Sequence, residues 1–166
     1  TGAYGFAGLY FGPVVGALLN KSGARSILDY GCGSKRSLLQ VMRLPEEVIY
    51  EGYDPAVPEY ATAPLSAELV CCIDVLEHIE PELLDNVLDH LCTLCDPLGL
   101  FSIHSGPARK TLSDSRNAHL TQQGHQWWLP KLKRYFEVRG MISHEEGFVV
   151  LVHSRRSDAV VRNADS

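Results

Sequence analysis

Residues 25–34 read RSILDYGCGS, a short apolar run that breaks into a glycine turn. The run suits a buried strand. Gly31 and Gly33 let the backbone after it come close to a ligand, because glycine carries no side chain. Residues 37–43 have the apolar spacing of a helix, and Pro45 stops it. A strand, a glycine turn and a helix in this order are one unit of an α/β fold.

Outward from this unit the pattern repeats. Residues 48–53 read as a second strand, closed by Asp54-Pro55, and 69–73 (LVCCI) form a continuous apolar run, the mark of a strand buried on both faces. Residues 81–94 predict an amphipathic helix, with Leu83, Leu84, Val87, Leu88, Leu91 and Leu94 on one side and Pro81 in the first turn. Residues 96–99 (DPLG) read as a turn, 100–104 as a strand, and 105–125 as a long polar loop of the kind that is usually functional or disordered. A helix at 127–134 precedes two strands, 136–143 and 148–153, whose tight connection makes a hairpin. Upstream, 9–20 predicts a helix closed by Gly23. Strands alternating with helices imply a doubly wound, mostly parallel sheet of the Rossmann-like kind. The C-terminal antiparallel hairpin is expected to add an antiparallel edge strand. Residues 1–154 are expected to form a single domain, with 155–166 as a flexible tail.

The 166 residues are 45% hydrophobic and 21% charged, an ordinary balance for one globular core. A formal net charge of -5 argues against a broad phosphate-binding face, so nucleic acid is not an expected partner. The five cysteines are Cys32, Cys71, Cys72, Cys92 and Cys95, a poor disulfide framework that suggests a reducing cytoplasm. Cys92 and Cys95 form a CxxC, but no second pair stands at zinc-finger spacing, so two small core residues are expected there. No apolar stretch reaches the length of a membrane span. The apolar start lacks a basic leader, and an opening Thr1 suits a fragment of a longer chain.

The chemistry gathers at the ends of the expected strands. Leu28-Asp29 precedes the glycine turn, and the second strand ends in Asp54, where an acid can bond ribose hydroxyls. ILDYGCG (27–33) resembles the first motif of class I S-adenosylmethionine (SAM)-dependent methyltransferases, and GYD (52–54) resembles the second. LVCCIDVLEHIEPE (69–82) is similar to the fourth-strand motif of the branch containing ubiquinone-pathway O-methyltransferases. The resemblance implies SAM as cofactor. Asp29, Gly31 and Gly33 would surround its methionine part, Tyr30 and Cys32 of the same turn would also bind the cofactor, Asp54 would hold its ribose, and Asp74 and Val75 would sit beside the methyl-donor end. Two departures stand out. Lys35 replaces the third glycine of the motif, which puts a cation near the cofactor carboxylate or on the surface. The stretch after Asp54 is too short for a full helix-plus-strand unit, so the third-strand region is shortened. Leu65 and Ser66 are then the nearest candidates for the residue beside adenine.

Asp74, Glu77 and His78 resemble a segment that supplies magnesium ligands in ubiquinone-pathway enzymes and in small-RNA ribose methyltransferases. His119 or His125 would complete the set from the loop. The preferred expectation is that no divalent cation is held and that Glu77 and His78 shape the pocket. His104, at a strand's carboxyl end, is a candidate general base or a packed or capping histidine, and His78 and His119 are the further catalytic candidates. Arg109, Lys110, Arg116 and Asn117 in the loop could clamp a polar acceptor or be plainly solvated, and Trp127 and Trp128 offer stacking or core packing. The expected activity is methyl transfer from SAM to an oxygen or nitrogen of a small-molecule or glycan-like acceptor. The alternatives are a metal-assisted RNA ribose methyltransferase and an inactive SAM-binding partner subunit.

Overall fold

The computed structural model describes residues 7–155. Apart from Arg155, the expected tail lies outside them, as does the very start of the chain. Helix α1 (Ala7–Ser22) leads to β1 (Ser26–Tyr30), α2 (Ser37–Val41), β2 (Ile49–Tyr53), β3 (Ala67–Ile73), α3 (Leu84–Leu94), β4 (Cys95–His104), α4 (His125–Tyr135), β5 (Phe136–His144) and β6 (Gly147–Ser154). The six strands form one sheet in the order β2-β1-β3-β4-β6-β5. The β1–β2, β1–β3 and β3–β4 ladders are parallel, and β6 runs antiparallel to both its neighbours.

Alternation along the central strands sends side chains to two cores. Leu28, Val70, Cys72, Phe101 and Ile103 pack with α3 and α4, through Leu84, Leu88, Leu91, Trp128 and Leu132. Ile27, Leu69, Cys71, Ile73 and Leu100 pack on the other face with Phe11, Val15, Leu19 and Leu38 from α1 and α2. The four-residue spacing of Phe11, Val15 and Leu19 aims one stripe of α1 at the sheet. LVCCI is therefore buried on both faces, as a central parallel strand requires. No helix among the described residues is long and apolar enough to cross a membrane.

Three features depart from the sequence expectations. Residues 96–99 lie inside β4 rather than in a turn. The β3–β4 register shifts between Ala67 and Leu69, and this irregularity accommodates Pro97, which has no N–H to give the ladder. The antiparallel strand is not the edge: β6 lies between β4 and β5, and β5 is the outer strand. Phe148, Val150 and Val152 face one core while Val149 and Leu151 pack on the other, so β6 needs cover on both faces. β5, with Arg139 and Gly140 exposed, tolerates the edge. Finally, the polar loop is folded. Its neck closes through a Thr111–Asn117 bridge, and its end is tied by the Thr121 N–H to the Glu77 carbonyl at 3.0 Å.

Candidate active site

The carboxyl ends of β1, β2, β3 and β4 lie side by side, and two groups of residues sit there. The first is the glycine turn. Gly31 has φ 79°, and a Cβ built on it would meet Val75 Cγ2 at 2.4 Å, so both backbone and space demand glycine. Its N–H and that of Cys32 donate to the Tyr53 carbonyl at 2.7 and 3.1 Å. Gly33 has φ 61° with open space on its Cβ side, and its N–H donates to Asp54 Oδ2 at 3.0 Å. Asp54 Oδ1 accepts the Ala56 N–H at 2.9 Å. The turn is thereby fastened to the end of β2.

Asp29 lies beneath it, buried, and accepts a hydrogen bond from the Tyr50 hydroxyl at 2.7 Å. Burial pushes its carboxyl up to about 6; the Tyr50 bond opposes this and the Asp54 charge adds to it. Cys32 is buried in the turn, and burial, reinforced by Asp29 and Asp54, pushes its thiol up to about 12, so it is not a ready nucleophile. Tyr30 points away toward α3, where its hydroxyl bonds His90 Nδ1 at 3.0 Å and its ring lies 5.1 Å from that of Tyr53. Lys35 is exposed, and its carbonyl accepts the Gln40 side chain at 2.7 Å. The next residue, Arg36, stacks over Tyr60 at 5.0 Å. Leu65 and Ser66 do not reach this end. The Leu65 N–H donates to the Glu51 carboxylate midway along β2, and Ser66 precedes β3 at its amino end. The short connection must cross the sheet's full height, and only the turn Pro58–Tyr60 stays beside Asp54, where the Tyr60 carbonyl accepts the Asp54 N–H at 2.9 Å.

The second group begins where β3 ends. Asp74 adopts φ 52°, and its N–H donates to the Ser102 carbonyl and hydroxyl, each at 3.1 Å, while the Ser102 hydroxyl donates to the Asp74 carboxylate. Left-handed backbone is tolerated by Asp better than by most residues. It turns Val75 against Gly31 and starts the single turn Leu76–His78. That turn buries Glu77 completely. Glu77 Oε1 accepts the His104 N–H at 3.0 Å, and Oε2 is buried with no hydrogen-bond partner among the described residues. Burial, then the nearby Asp74 charge, pushes this carboxyl up to about 8, against the pull of backbone hydrogen bonds from Glu77 and His104.

Three imidazoles meet over Glu77. His119 lies 4.8 Å from His78 and 4.7 Å from His104, ring centre to ring centre. His78 Nδ1 donates to the Ala118 carbonyl at 2.8 Å, and His119 Nδ1 donates to the Gly106 carbonyl at 2.7 Å. Burial is the largest influence on His78 and lowers its basicity. One ligand atom from each of Glu77, His78 and His119 falls within 4.8 Å of the others. Asp74 and His125 stand outside this group. Asp74 is held by Ser102, and His125 begins α4 with its ring 6.2 Å from that of Phe148. Of the loop cations, Arg116 is taken up by Glu80 and Asp114, at 2.8 and 2.7 Å, and Arg109 is exposed. Trp128 is core, whereas Trp127 keeps 38% of its surface and carries Lys131 over its ring at 5.2 Å. Sequence reasoning overlooked Tyr50, Ser102 and Gly106. Tyr50 and Ser102 act through hydrogen bonds to partners distant in sequence, and Gly106 acts through its backbone groups, so no local pattern signals them.

The arrangement offers a glycine turn with a carboxylate for a nucleoside-like ligand and, one strand over, bases for proton transfer. Residues 11–144 match the methyltransferase-domain family. No curated protein matches the chain. An O-methyltransferase family protein from Burkholderia thailandensis superposes with a TM-score of 0.64 at 18% identity, over 89% of this chain and 55% of that one. Magnesium protoporphyrin IX methyltransferase from Synechocystis PCC 6803, solved with S-adenosylhomocysteine (SAH) bound, gives 0.54 at 19% identity over 92% and 88%. The small RNA methyltransferase HEN1 gives 0.65 at 14% identity, over 93% of this chain and 26% of that one. The chain thus spans 55% of the length of the Burkholderia protein. The family match covers most of the described residues, and the sheet, glycine turn and strand-end acids agree with it: the chain belongs to the methyltransferase-domain family and has the class I, SAM-dependent fold.

Proposed function

We propose that the chain transfers a methyl group from SAM to an oxygen or nitrogen of a small-molecule or glycan-like acceptor, in a reducing cytoplasm. The observation that carries this reading is the imidazole cluster of His78, His104 and His119, one strand away from the glycine turn and joined to it by Val75 on Gly31. The residues at the turn fit the cofactor. Gly33 opens onto free space, and each Asp54 oxygen, though bonded once, has a lone pair left for a ribose hydroxyl. Gly31, Cys32 and Gly33 would line the methionine part, above Asp29 and with Tyr30 bracing the strand end. Asp74 and Val75 would border the methyl-donor end. When bound, SAM supplies an electrophilic methyl group on a sulfonium. The chain's own contribution is to align the acceptor and take its proton, and alignment alone supplies much of the rate in such a displacement. The acidic balance continues to favour an acceptor other than nucleic acid. Calorimetry with SAH, followed by SAH-release assays on pooled hydroxylic and amine acceptors, tests the reading. Asp54→Ala is expected to weaken SAH binding by about 1–3 kcal/mol, the usual worth of lost hydrogen bonds to a carboxylate. Unchanged affinity would sink the site, and tight SAH binding without turnover on any acceptor would favour an inactive partner subunit.

A second reading has an observation of its own. Glu77, His78 and His119 bring their ligand atoms together, and Glu77 Oε2 lacks a partner among the described residues despite complete burial. Two imidazoles and a carboxylate suit a divalent cation, which would acidify a bound hydroxyl. Both rings meet the requirement that Nδ1 be anchored on a carbonyl. Chelator would then abolish turnover and leave SAH affinity intact, and Glu77→Ala would do the same. Activity that survives chelator removes the metal.

A further inference from the structure

We propose that Asn117 is a positioning residue that fixes His119 as the proton acceptor of the site, while His104 acts as a hydrogen-bond donor to the acceptor molecule. The inference rests on the methyl-transfer reading above and sorts the roles that reading leaves open.

The argument starts at Gly106. Its backbone N–H donates to His104 Nδ1 at 3.1 Å. A backbone N–H can only donate, so Nδ1 of His104 carries the lone pair, and the proton of the neutral ring sits on Nε2. The carbonyl of the same residue faces His119 Nδ1 at 2.7 Å. A carbonyl can only accept, so Nδ1 of His119 carries the proton and its lone pair falls on Nε2. One peptide residue thus holds two neighbouring rings in opposite tautomers. His104 presents an N–H and His119 presents a base.

Asn117 builds the frame that keeps Gly106 and His119 in this relation. Its Oδ1 accepts the N–H groups of Ala108 and His119, each at 2.9 Å, and its Nδ2 donates to the Ala108 carbonyl at 2.9 Å. The side chain thereby copies a strand's hydrogen bonds across the neck of the loop. The Ala118 N–H reinforces the closure on the Lys110 carbonyl at 2.9 Å. His119 is left only 8% exposed, between His78 and His104.

In the step this arrangement serves, the acceptor's O–H bond breaks and its electron pair stays on oxygen. The proton moves to His119 Nε2. The imidazolium so formed keeps its Nδ1–H on the Gly106 carbonyl, a charge-assisted bond, and passes the proton to water after the reaction. His104 already holds a proton on Nε2, and its Nδ1 is occupied by Gly106, so it supports the acceptor oxygen rather than deprotonating it.

Nitrogen-15 NMR of the histidine rings in the full chain reads the tautomers directly. In the wild type, His119 is expected as the Nδ1–H form and His104 as the Nε2–H form. Asn117→Ala should leave His119 without a single tautomer. Asn117→Asp keeps both acceptances, sets an oxygen against the Ala108 carbonyl in place of the donated bond, and should retain the tautomer in part. It also stands in if the alanine variant does not fold. In SAH-release assays Asn117→Ala should lower kcat by about 10²-fold, as misplacement of a base does, with SAH affinity unchanged and partial recovery in the aspartate variant. His119→Gln should remove most of the turnover and His104→Gln should slow it less, each with SAH affinity unchanged. The proposal is overturned by an Nε2–H form of His119 in the wild type, by an unaltered His119 in folded Asn117→Ala, or by a larger loss of turnover in His104→Gln than in His119→Gln. If no acceptor is turned over, the methyl-transfer reading falls and the proton-transfer role with it. The tautomer spectra then uphold or overturn Asn117 as the residue that sets the ring.

Discussion

The glycine turn and the histidine cluster stand on adjacent strands but are held together by different means. The turn is a matter of backbone: positive φ at Gly31 and Gly33, two amides on the Tyr53 carbonyl, and a carboxylate on an amide. Its tie spans 21 residues, from Gly33 to Asp54. The cluster is a matter of side chains on distant backbone. His78 reaches a carbonyl 40 residues away, and Glu77 an amide 27 residues away. A site made of backbone conformation tolerates few substitutions within a short motif. A site made of long-range hydrogen bonds spreads its requirements across a loop. The first serves a ligand of fixed shape, and the second can be altered to suit a new acceptor without touching the first.

Substitutions confined to one group can break this contrast. The largest effect is expected from His119→Ala, which should cost about 10²–10⁴-fold in turnover, the span typical of a general base, and should leave SAH affinity as it was. A parallel loss of SAH binding would mean that the two groups form one unit. Gly31→Ala is the mirror case. It forces a Cβ to 2.4 Å from Val75 Cγ2 at φ 79°, and should lower stability by about 2–4 kcal/mol and weaken SAH binding with it. Thermal melts and calorimetry read both. If the alanine variant binds SAH normally, the turn is not set by its backbone.

A third effect concerns pH. Asp29 has a folded-state carboxyl near 6 against 3.8 for an ordinary one, so the folded state holds its proton more tightly than the unfolded chain. The stability this gives is complete below pH 3.8 and is lost as pH rises through about 6. Asp29→Asn keeps a bond to the Tyr50 hydroxyl and carries no charge. Its stability relative to wild type should therefore grow across that window, by up to about 3 kcal/mol. Denaturant melts at a series of pH values decide it, and parallel curves would show that Asp29 does not titrate in this range. The smallest effect is expected at Arg116, whose ion pairs with Glu80 and Asp114 are exposed. Arg116→Ala should change stability by about 0–1 kcal/mol, measured in the same melts. A larger loss would show that the loop is held by charge rather than by Asn117.

The same contrast explains what the sequence could reveal. The strand–turn–helix around Gly31, the acid at Asp54 and the two-sided run 69–73 are local patterns, and each lies in the structure where it was expected. The placement of β6 was not legible, because strand order depends on which faces need cover rather than on any one segment. Pro97 misled for a physical reason: proline signals a turn unless an irregular register makes room for it inside a strand. The meeting of His78, His104 and His119 could be guessed only from residue type. Their orientation depends on Gly106 and Ala118, whose backbone groups carry no signature.

The short passage from β2 to β3 has a consequence for modularity. Among the described residues β2 pairs with β1 alone, so one side of the described sheet ends there. The passage runs beside β2, where the Leu65 N–H donates to the Glu51 carboxylate and the Leu65 side chain is 77% exposed. A longer insert at this point would extend the sheet by another strand while every existing register stayed in place. Growth at this border is therefore additive, and the six strands present already carry both the glycine turn and the histidine cluster.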